Sequence, residues 1–442
     1  MTASRVQHYG EDGERMASIM IAVMPFVGHV APMRAVAEAF IAAGHRVRVY
    51  TGSAHSAAFE RLGATVLPWT AAPDFDEHDL AVTFPTLRGG KGPRQMLASV
   101  REVFINTAAR QSDDLVAAFA DERWDVIVAD GLCLGAHLAS ERTGTPWVTV
   151  SIVPLAIPSR DLPPPGLGIR PGRGVLGRLR DSALRGITPL ASASLQRAYR
   201  RARIDAGLAP TARPFDDAWY SPDLVCASGV PELDFPRSDL PPQIVYVGAL
   251  TPSGTVSSPL PAWWQAATTS TEPLVHVTQG TLNTDPRDLI RPSFAALGRQ
   301  AVRIIAVTGK RGDSGLPFPA PPNAHVADFV PYSGLLPHVS VMISNGGWGG
   351  VLAALAHGIP LVVAGGDVDK PEVAARVAWV GAGIDLRTGT PAPRQILTAW
   401  RRVSTEPAFR EAAERIGAAL RSHDGPNEVV QHTLRLIARD DA

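Results

Sequence analysis

The sequence predicts an α/β protein of two doubly wound, parallel-sheet domains facing each other across a cleft, and three observations carry that prediction. Short apolar, β-branched runs alternate with helix-length segments in both halves of the chain. The alternation breaks at a stretch rich in Pro, Gly, Ser and Thr, from Gly248 to Trp264. Strand-like runs end in small-residue turns that lead into helices, as in βαβ units. At 442 residues the chain exceeds one ordinary core and suits two domains.

Composition narrows the class. With 45% hydrophobic and 19% charged residues, the chain reads as soluble and globular. Its 42 basic residues balance 42 acidic ones, so no overall field draws it to nucleic acid or an anionic membrane. Cys133 and Cys226 cannot build a disulfide framework for this length and have no metal-ligand spacing, which suits a reducing cytoplasm. Met1 to Arg15 is polar and carries Glu11, Asp12 and Glu14, unlike a secretory signal. No apolar run approaches the ~20 residues that span a bilayer. The expectation is a cytoplasmic monomer or weak dimer, without membrane insertion or a nucleic-acid partner.

The elements follow in order. "SIMIAVM", Ser18 to Met24, reads as a buried strand; a helix is expected from Pro32 to Ala43, stopped by Gly44, then a strand "RVRVYT". Next come a strand at Ala64 to Pro68, a long helix near Gln95 to Asp121, and strands "DVIVAD" and "WVTVSIV". The loop "PSRDLPPPGLGIRPGRG", Pro158 to Gly174, is either a lid or pocket wall or a disordered segment. A helix around Ser182 to Ala206 and strands near Asp223 and Ile244 complete the first half. Beyond the break come strands "PLVHVT", "VRIIAVT", "AHVADFV", "VSVMIS" and "PLVVAG", then helices to the end. The division drawn is a first domain over 16–240, a linker over 241–262 and a second domain over 263–424. Doubly wound sheets bind ligands at the carboxyl ends of their strands, so the cleft between the domains is the expected site.

The turn "NGGWGG", Asn345 to Gly350, leaves a strand end and enters an alanine-rich helix. The first amides of a helix lack intrahelical partners and carry partial positive charge, which suits phosphate. The dinucleotide pattern G-x-G-x-x-G is not matched: Gly347 and Gly349 fit, but Leu352 stands at the third glycine. Alone, such a turn serves a packing corner equally well. Two neighbours add weight: "HVTQGT" places Thr278, Gln279, Gly280 and Thr281 at another strand end, and "GGDVDKPE" places Asp367, Asp369 and Lys370 at a third.

On these residues the second half resembles the nucleotide-sugar-binding half of family 1 glycosyltransferases, the bacterial macrolide and plant secondary-metabolite type, whose two Rossmann-like domains form the GT-B fold. The family's signature of strand, His-x-Gly, small-residue turn, helix ending in x-Gly-x-Pro, and Asp-Gln or Glu-Gln reads here as "SNGGWGGVLAALAHGIPLVVAGGDVDK". The resemblance runs from Ile19 to about Leu436. It implies a UDP- or TDP-linked sugar as co-substrate, with no other cofactor and no metal. Two positions depart from the pattern: Asn345 stands where the family has a diphosphate-contacting histidine, and Lys370 where it has a sugar-contacting glutamine. Asn345 can donate a hydrogen bond but carries no charge. The diphosphate is therefore expected at Gly280, Thr281, Gly347, Gly349 and Gly350, with Lys370 restoring charge or binding a sugar hydroxyl. Asp369 matches the family's sugar-binding acid. "DFVPYSGLLPHV" resembles its base-binding stretch, so Phe329 and Val330 would border the base, the latter through its backbone. Residues 425–442 resemble the family's terminal helix, which crosses back to the first domain. The competing reading of Asp367-Val368-Asp369 as a divalent-metal motif belongs to a single-domain architecture.

"MPFVGHVAPM" places His29 after the first strand and matches the family's Gly-His-x-x-Pro loop. The resemblance makes His29 the general base and puts its acidic partner in "WDVIVADGLCLG", where Asp130 ends the strand and Asp125 opens it at the far edge. The expected reaction is single displacement at the anomeric carbon by an acceptor hydroxyl, with inversion. A nucleotide-sugar epimerase or hydrolase, or a non-catalytic helper protein, are the other readings of the same fold. The cluster "DFDEHD", Asp74 to Asp79, is expected to be a solvated loop. Phe84 and Phe104 fit an acceptor pocket or core packing equally. A small hydrophobic natural product is the expected acceptor.

Overall fold

The computed structural model describes residues 16–88, 93–211, 214–251, 261–280, 285–310 and 312–440. In the first half, β1 (Ser18–Ala22), β2 (Arg46–Thr51), β3 (Thr65–Pro68), β4 (Val126–Asp130), β5 (Trp147–Ser151), β6 (Leu224–Ala227) and β7 (Ile244–Tyr246) form one sheet in the order β3-β2-β1-β4-β5-β6-β7. Every pairing in it is parallel. The second half repeats the plan with β8 (Leu274–Thr278), β9 (Arg303–Val307), β10 (Ala324–Ala327), β11 (Val339–Ser344), β12 (Leu361–Val363) and β13 (Gly383–Asp385), ordered β10-β9-β8-β11-β12-β13 and again parallel.

Both sheets therefore reverse direction of growth between their first and fourth strands, β1/β4 and β8/β11. At such switch points the loops diverge and leave a crevice at the carboxyl edge. The central strands β1, β4, β5 and β8 are buried along their whole length, which is why they read as unbroken apolar runs rather than alternating ones. Ile19 and Ile21 pack into one face of the first sheet, Met20 and Ala22 into the other.

The structure changes several expected boundaries. Helix α1 (Val27–Ala42) begins before Pro32, which lies inside it. Proline frees the carbonyl four residues back, here that of exposed Gly28, so the helix can run through. The long helix expected near Gln95 to Asp121 is broken by a wide π-helical turn at Val100–Ile105 before α2 (Ala108–Asp121). The helix expected from Ser182 starts at Gly174 and breaks at Ser192. β7, expected as a strand near Ile244, falls inside the stretch 241–262, and β13 was not expected because Gly383–Asp385 holds one apolar side chain between Gly and Asp.

Three further helices organise the cleft: α3 (Trp348–Ala356), α4 (Lys370–Trp379) and α5 (Gly425–Asp440). α5 returns to the first sheet and buries Val429, Val430 and Ile437 in its core. Trp348 donates from its indole nitrogen to Ser228 of the first domain at 2.9 Å, and Val230 and Leu233 pack into the second domain's core. Among the described residues no helix is long and apolar enough to cross a membrane.

Candidate functional site

At the first switch point, β1 runs into α1 and places His29 in that helix's first turn, rather than in a loop before Pro32. β4 ends in Asp130, which is fully buried. The two side chains, 101 residues apart in sequence, meet at 2.5 Å between His29 Nδ1 and Asp130 Oδ2. A carboxylate accepts, so the imidazole donates from Nδ1 and its Nε2 carries the lone pair. Asp130 is held in turn by the Met24 amide at 3.2 Å and the Leu132 amide at 3.0 Å.

Four residues around this pair depart from the solvated-loop expectation or resolve an open one. Glu77, taken as part of a solvated acidic loop, is buried and receives the Val27 amide at 3.1 and 3.2 Å. Phe26 at the helix start offers no side-chain cap, so Glu77 supplies one from 50 residues away. Burial pushes its carboxyl above the ordinary range, against the opposing pull of the Val27 amide and nearby histidines. Asp74 of the same cluster accepts from the Ser53 amide at 2.9 Å. Phe104, on the π-helical turn, lies over the His29 ring at 6.5 Å and 19°, while Phe84 sits one layer back in the core against Phe75. A distinct local sequence signal existed for none of these contacts.

At the second switch point, the loops after β8 and β11 lean together. The Asn345 carboxamide donates to the Gln279 carbonyl, and the Asn345 amide reaches Thr278 at 3.3 Å. One N–H of the side chain expected to meet diphosphate is thus committed to stapling the two loops. Gln279 is buried and braces the same loop through the Asp285 carbonyl at 2.6 Å and the Ile290 amide at 3.1 Å. Gly280 is left-handed, with φ 72°. Thr281 lies outside the described residues.

The glycines of the turn divide their work. Gly346 has φ 92°, and a β-carbon there would lie 2.9 Å from Val363, so it makes the corner. Gly347 opens α3 without a side-chain cap. Gly349 is exposed, with nothing within 4 Å of a β-carbon, whereas a β-carbon at Gly350 would lie 3.2 Å from the Tyr332 hydroxyl. The first amides of α3 have no preceding turn to bond, so they present donors beside open space.

After β12 the chain reaches Val368, a β-branched residue at φ 53° and 55% exposed. Such a conformation costs about 1–3 kcal/mol and marks segments whose shape is imposed by their surroundings. Asp367 pairs with Lys370 Nζ at 2.8 Å, so that ammonium is not free as expected. Asp369 is half-buried; burial pushes its carboxyl up, and it lies near enough to His29 to feel an imidazolium charge from across the cleft. Among the described residues no group of three or more His, Cys, Asp or Glu side chains could hold a metal ion.

Farther along the same carboxyl edge, Arg287, Thr308, Lys310 and Asp313 line an open cavity of 660 Å³. Beyond β10, Phe329 is 40% exposed and Val330 is buried in the second domain's core. The arrangement sets a histidine–carboxylate pair on one wall of the cleft and uncapped helix amides with a half-buried carboxyl on the other. That combination can deprotonate a hydroxyl and stabilise a departing anion.

Comparison with known proteins places the chain among glycosyltransferases. Residues 294–436 match the family model for the erythromycin biosynthesis protein CIII-like C-terminal domain. The chain is similar to 4'-demethylrebeccamycin synthase of Lentzea aerocolonigenes, at 41% identity over 90% of this chain and 94% of that one. It is 29% identical to UDP-glycosyltransferase 2 of Phaeomoniella chlamydospora, covering 95% and 96% of the two chains. Among solved structures, the calicheamicin glycosyltransferase CalG4 superposes with a TM-score of 0.70 at 19% identity, over 96% of this chain and 99% of that one. The glycosyltransferase VinC in complex with dTDP superposes with a TM-score of 0.66 at 21% identity, over 96% and 100%.

Proposed function

We propose, for a chain that belongs to the family 1, GT-B-fold glycosyltransferases of the bacterial antibiotic and natural-product type, that it moves a sugar from a UDP- or TDP-linked donor to a hydroxyl of a small hydrophobic natural product. Transfer inverts the anomeric carbon and needs no metal ion. The observation that carries this reading is the 2.5 Å bond between His29 and Asp130, set across the cleft from Asp369.

The acceptor hydroxyl binds beside His29 Nε2, against the Phe26 and Phe104 rings. His29 takes its proton as the oxygen attacks, and Asp130 holds the imidazole's orientation and stabilises the imidazolium. The sugar is held by Asp369, whose carboxyl lies close enough to His29 for the two to interact electrostatically. On the far side of the anomeric carbon the bond to the diphosphate breaks, and the leaving anion meets the Gly349 and Gly350 amides at the start of α3, with Gly280 and Thr281 alongside. Helix amides supply the counter-field that a divalent cation gives elsewhere, which supports metal independence. The Lys370–Asp367 pair adds no net charge there. VinC was solved with dTDP and several relatives bear UDP-transferase names, so both nucleotides are candidate donors. Phe329 and the Val330 backbone border the base.

Nucleotide release is the test, measured from UDP-glucose and a TDP-deoxysugar with EDTA present, with and without phenolic and macrolide acceptors. Release that depends on acceptor, survives EDTA and falls about 10³-fold in His29→Ala is expected for a general base. Release without acceptor and indifferent to His29→Ala would point to a hydrolase or epimerase instead.

A further inference from the structure

Helix α4 begins at the donor side of the cleft, with Asp369 just before it and Lys370 as its first residue, yet its body is held by the first domain. Arg376, 2% exposed, sends its guanidinium in three directions. Nε donates to Asp234 at 2.9 Å, one terminal nitrogen to Glu372 at 2.7 Å, and the other to the Leu155 carbonyl at 3.0 Å. Asp234 and Leu155 belong to the first domain; Glu372 is on α4 itself. Asp234 is further bound by Arg237 at 2.8 Å and the Tyr246 hydroxyl at 2.6 Å, and Phe235 lies under the Arg376 guanidinium at 4.6 Å.

The set contains two guanidinium groups and two carboxylates, so it is neutral as a unit. Burial disfavours the Asp234 carboxylate, but Arg376 and Arg237 outweigh it and hold it below its ordinary range. Shifting α4 relative to the first domain would take Arg376 from Asp234 before water could replace it, leaving buried charges without their partners, which low-dielectric surroundings penalise. Glu372 extends the grip: its Oε1 accepts from the Gly166 and Gly168 amides at 3.0 and 2.9 Å, laying the proline-rich loop along the start of α4. Gly168 needs its missing side chain, because a β-carbon there would meet Pro371 at 2.4 Å.

We propose that Arg376 is a positioning residue for transfer, which rests on the function argued above. By tying α4 to Asp234 and Leu155, it fixes Asp369 relative to His29, so that donor and acceptor groups keep one spacing. Arg376 lies seven residues beyond Asp369, about 10 Å along the helix at 1.5 Å per residue, too far to touch a sugar held at Asp369. A guanidinium is required, since its three separate nitrogens each reach a different acceptor, which a single ammonium does not.

The experiment compares wild type with Arg376→Met, Arg376→Lys and Asp234→Asn by steady-state transfer kinetics. It adds the distance distribution between spin labels at exposed Glu60→Cys and Arg394→Cys, one in each domain; native Cys133 and Cys226 are buried. Arg376→Met is expected to lower kcat about 10- to 100-fold, because misplacement of about 1 Å costs on that order. Donor KM should change by less than about three-fold, the label distances should broaden, and Arg376→Lys should recover only part of the loss. A folded Arg376→Met with kcat and label distances within about two-fold of wild type overturns the proposal. Should Arg376→Met fail to fold, Asp234→Asn decides by the same two readouts. A wild type that transfers no sugar sinks the functional reading, and the label distances then still settle whether Arg376 fixes the domains.

Discussion

The two switch points share one topology and solve opposite problems. At β1/β4 the working parts are side chains: a histidine and a buried carboxylate 2.5 Å apart, with Glu77 capping the helix beneath them. At β8/β11 they are backbone: a left-handed Gly346, an uncapped helix start and an open Gly349, with Asn345 spent on joining two loops. Base chemistry needs a group that changes protonation, which only a side chain provides, whereas a departing diphosphate needs several fixed donors, which peptide amides supply without mobile parts. The first site should therefore fail by losing atoms and the second by gaining them.

The contrast breaks most visibly in the first site. His29→Ala removes the proposed base and is the largest effect expected. Asp130→Asn keeps the shape but replaces the carboxylate, so kcat for transfer should fall about 100-fold or more while donor KM stays near wild type. An equal rise in KM would mean that Asp130 acts on folding of the site rather than on the imidazole.

Adding a methyl separates the glycines of the second site. Gly346→Ala forces a β-carbon into 2.9 Å contact with Val363 at a left-handed backbone, and should cost about 2 kcal/mol of stability, seen as a drop in Tm. Gly349→Ala meets open space, so Tm should hold or rise slightly, while donor KM rises as the methyl enters the diphosphate's place. Equal Tm losses in the two variants would contradict the division between corner and cradle.

The smallest effect sharpens the link between helix cap and base. Because burial raises the Glu77 carboxyl, its protonated form favours the folded state, a contribution complete below the ordinary value of 4.5 and lost as pH climbs through the raised one. Glu77→Gln abolishes that titration. Wild type should therefore lose stability relative to the variant as pH rises from 4.5 toward neutrality, and denaturant melts across that range would read it. A stability difference that does not vary with pH would mean that Glu77 does not titrate in the folded protein.

Much of the fold was legible because it is local. Buried parallel strands leave apolar runs, and Gly346 sits where a strand must turn into a helix, so twelve of the thirteen strands among the described residues and the glycine turn could be read from neighbouring residues. One edge piece escaped: β13, Gly383–Asp385, carries a single apolar side chain between Gly and Asp and leaves no apolar run. The π-helical turn carrying Phe104 was invisible for another reason, since its sequence has ordinary helical character and the extra residue per turn is imposed by packing. The site was partly legible through resemblance, which pointed to His29, Asp130 and Asp369, but not through any local signal that pairs them.

By itself the sequence determined two doubly wound domains, a glycine turn suited to an anion and a histidine after the first strand, because each follows from periodicity and backbone freedom within about ten residues. Tertiary structure decided who meets whom. Asp130 reaches His29 across 101 residues, Glu77 caps Val27 across 50, and Asp234 holds Arg376 across 142. It also turned Asn345 and Lys370 toward protein partners, where the sequence pattern suggested ligands. These choices lie outside sequence patterning because a buried polar group is satisfied by whichever partner the packed chain brings within about 3 Å, and burial is a property of the whole fold.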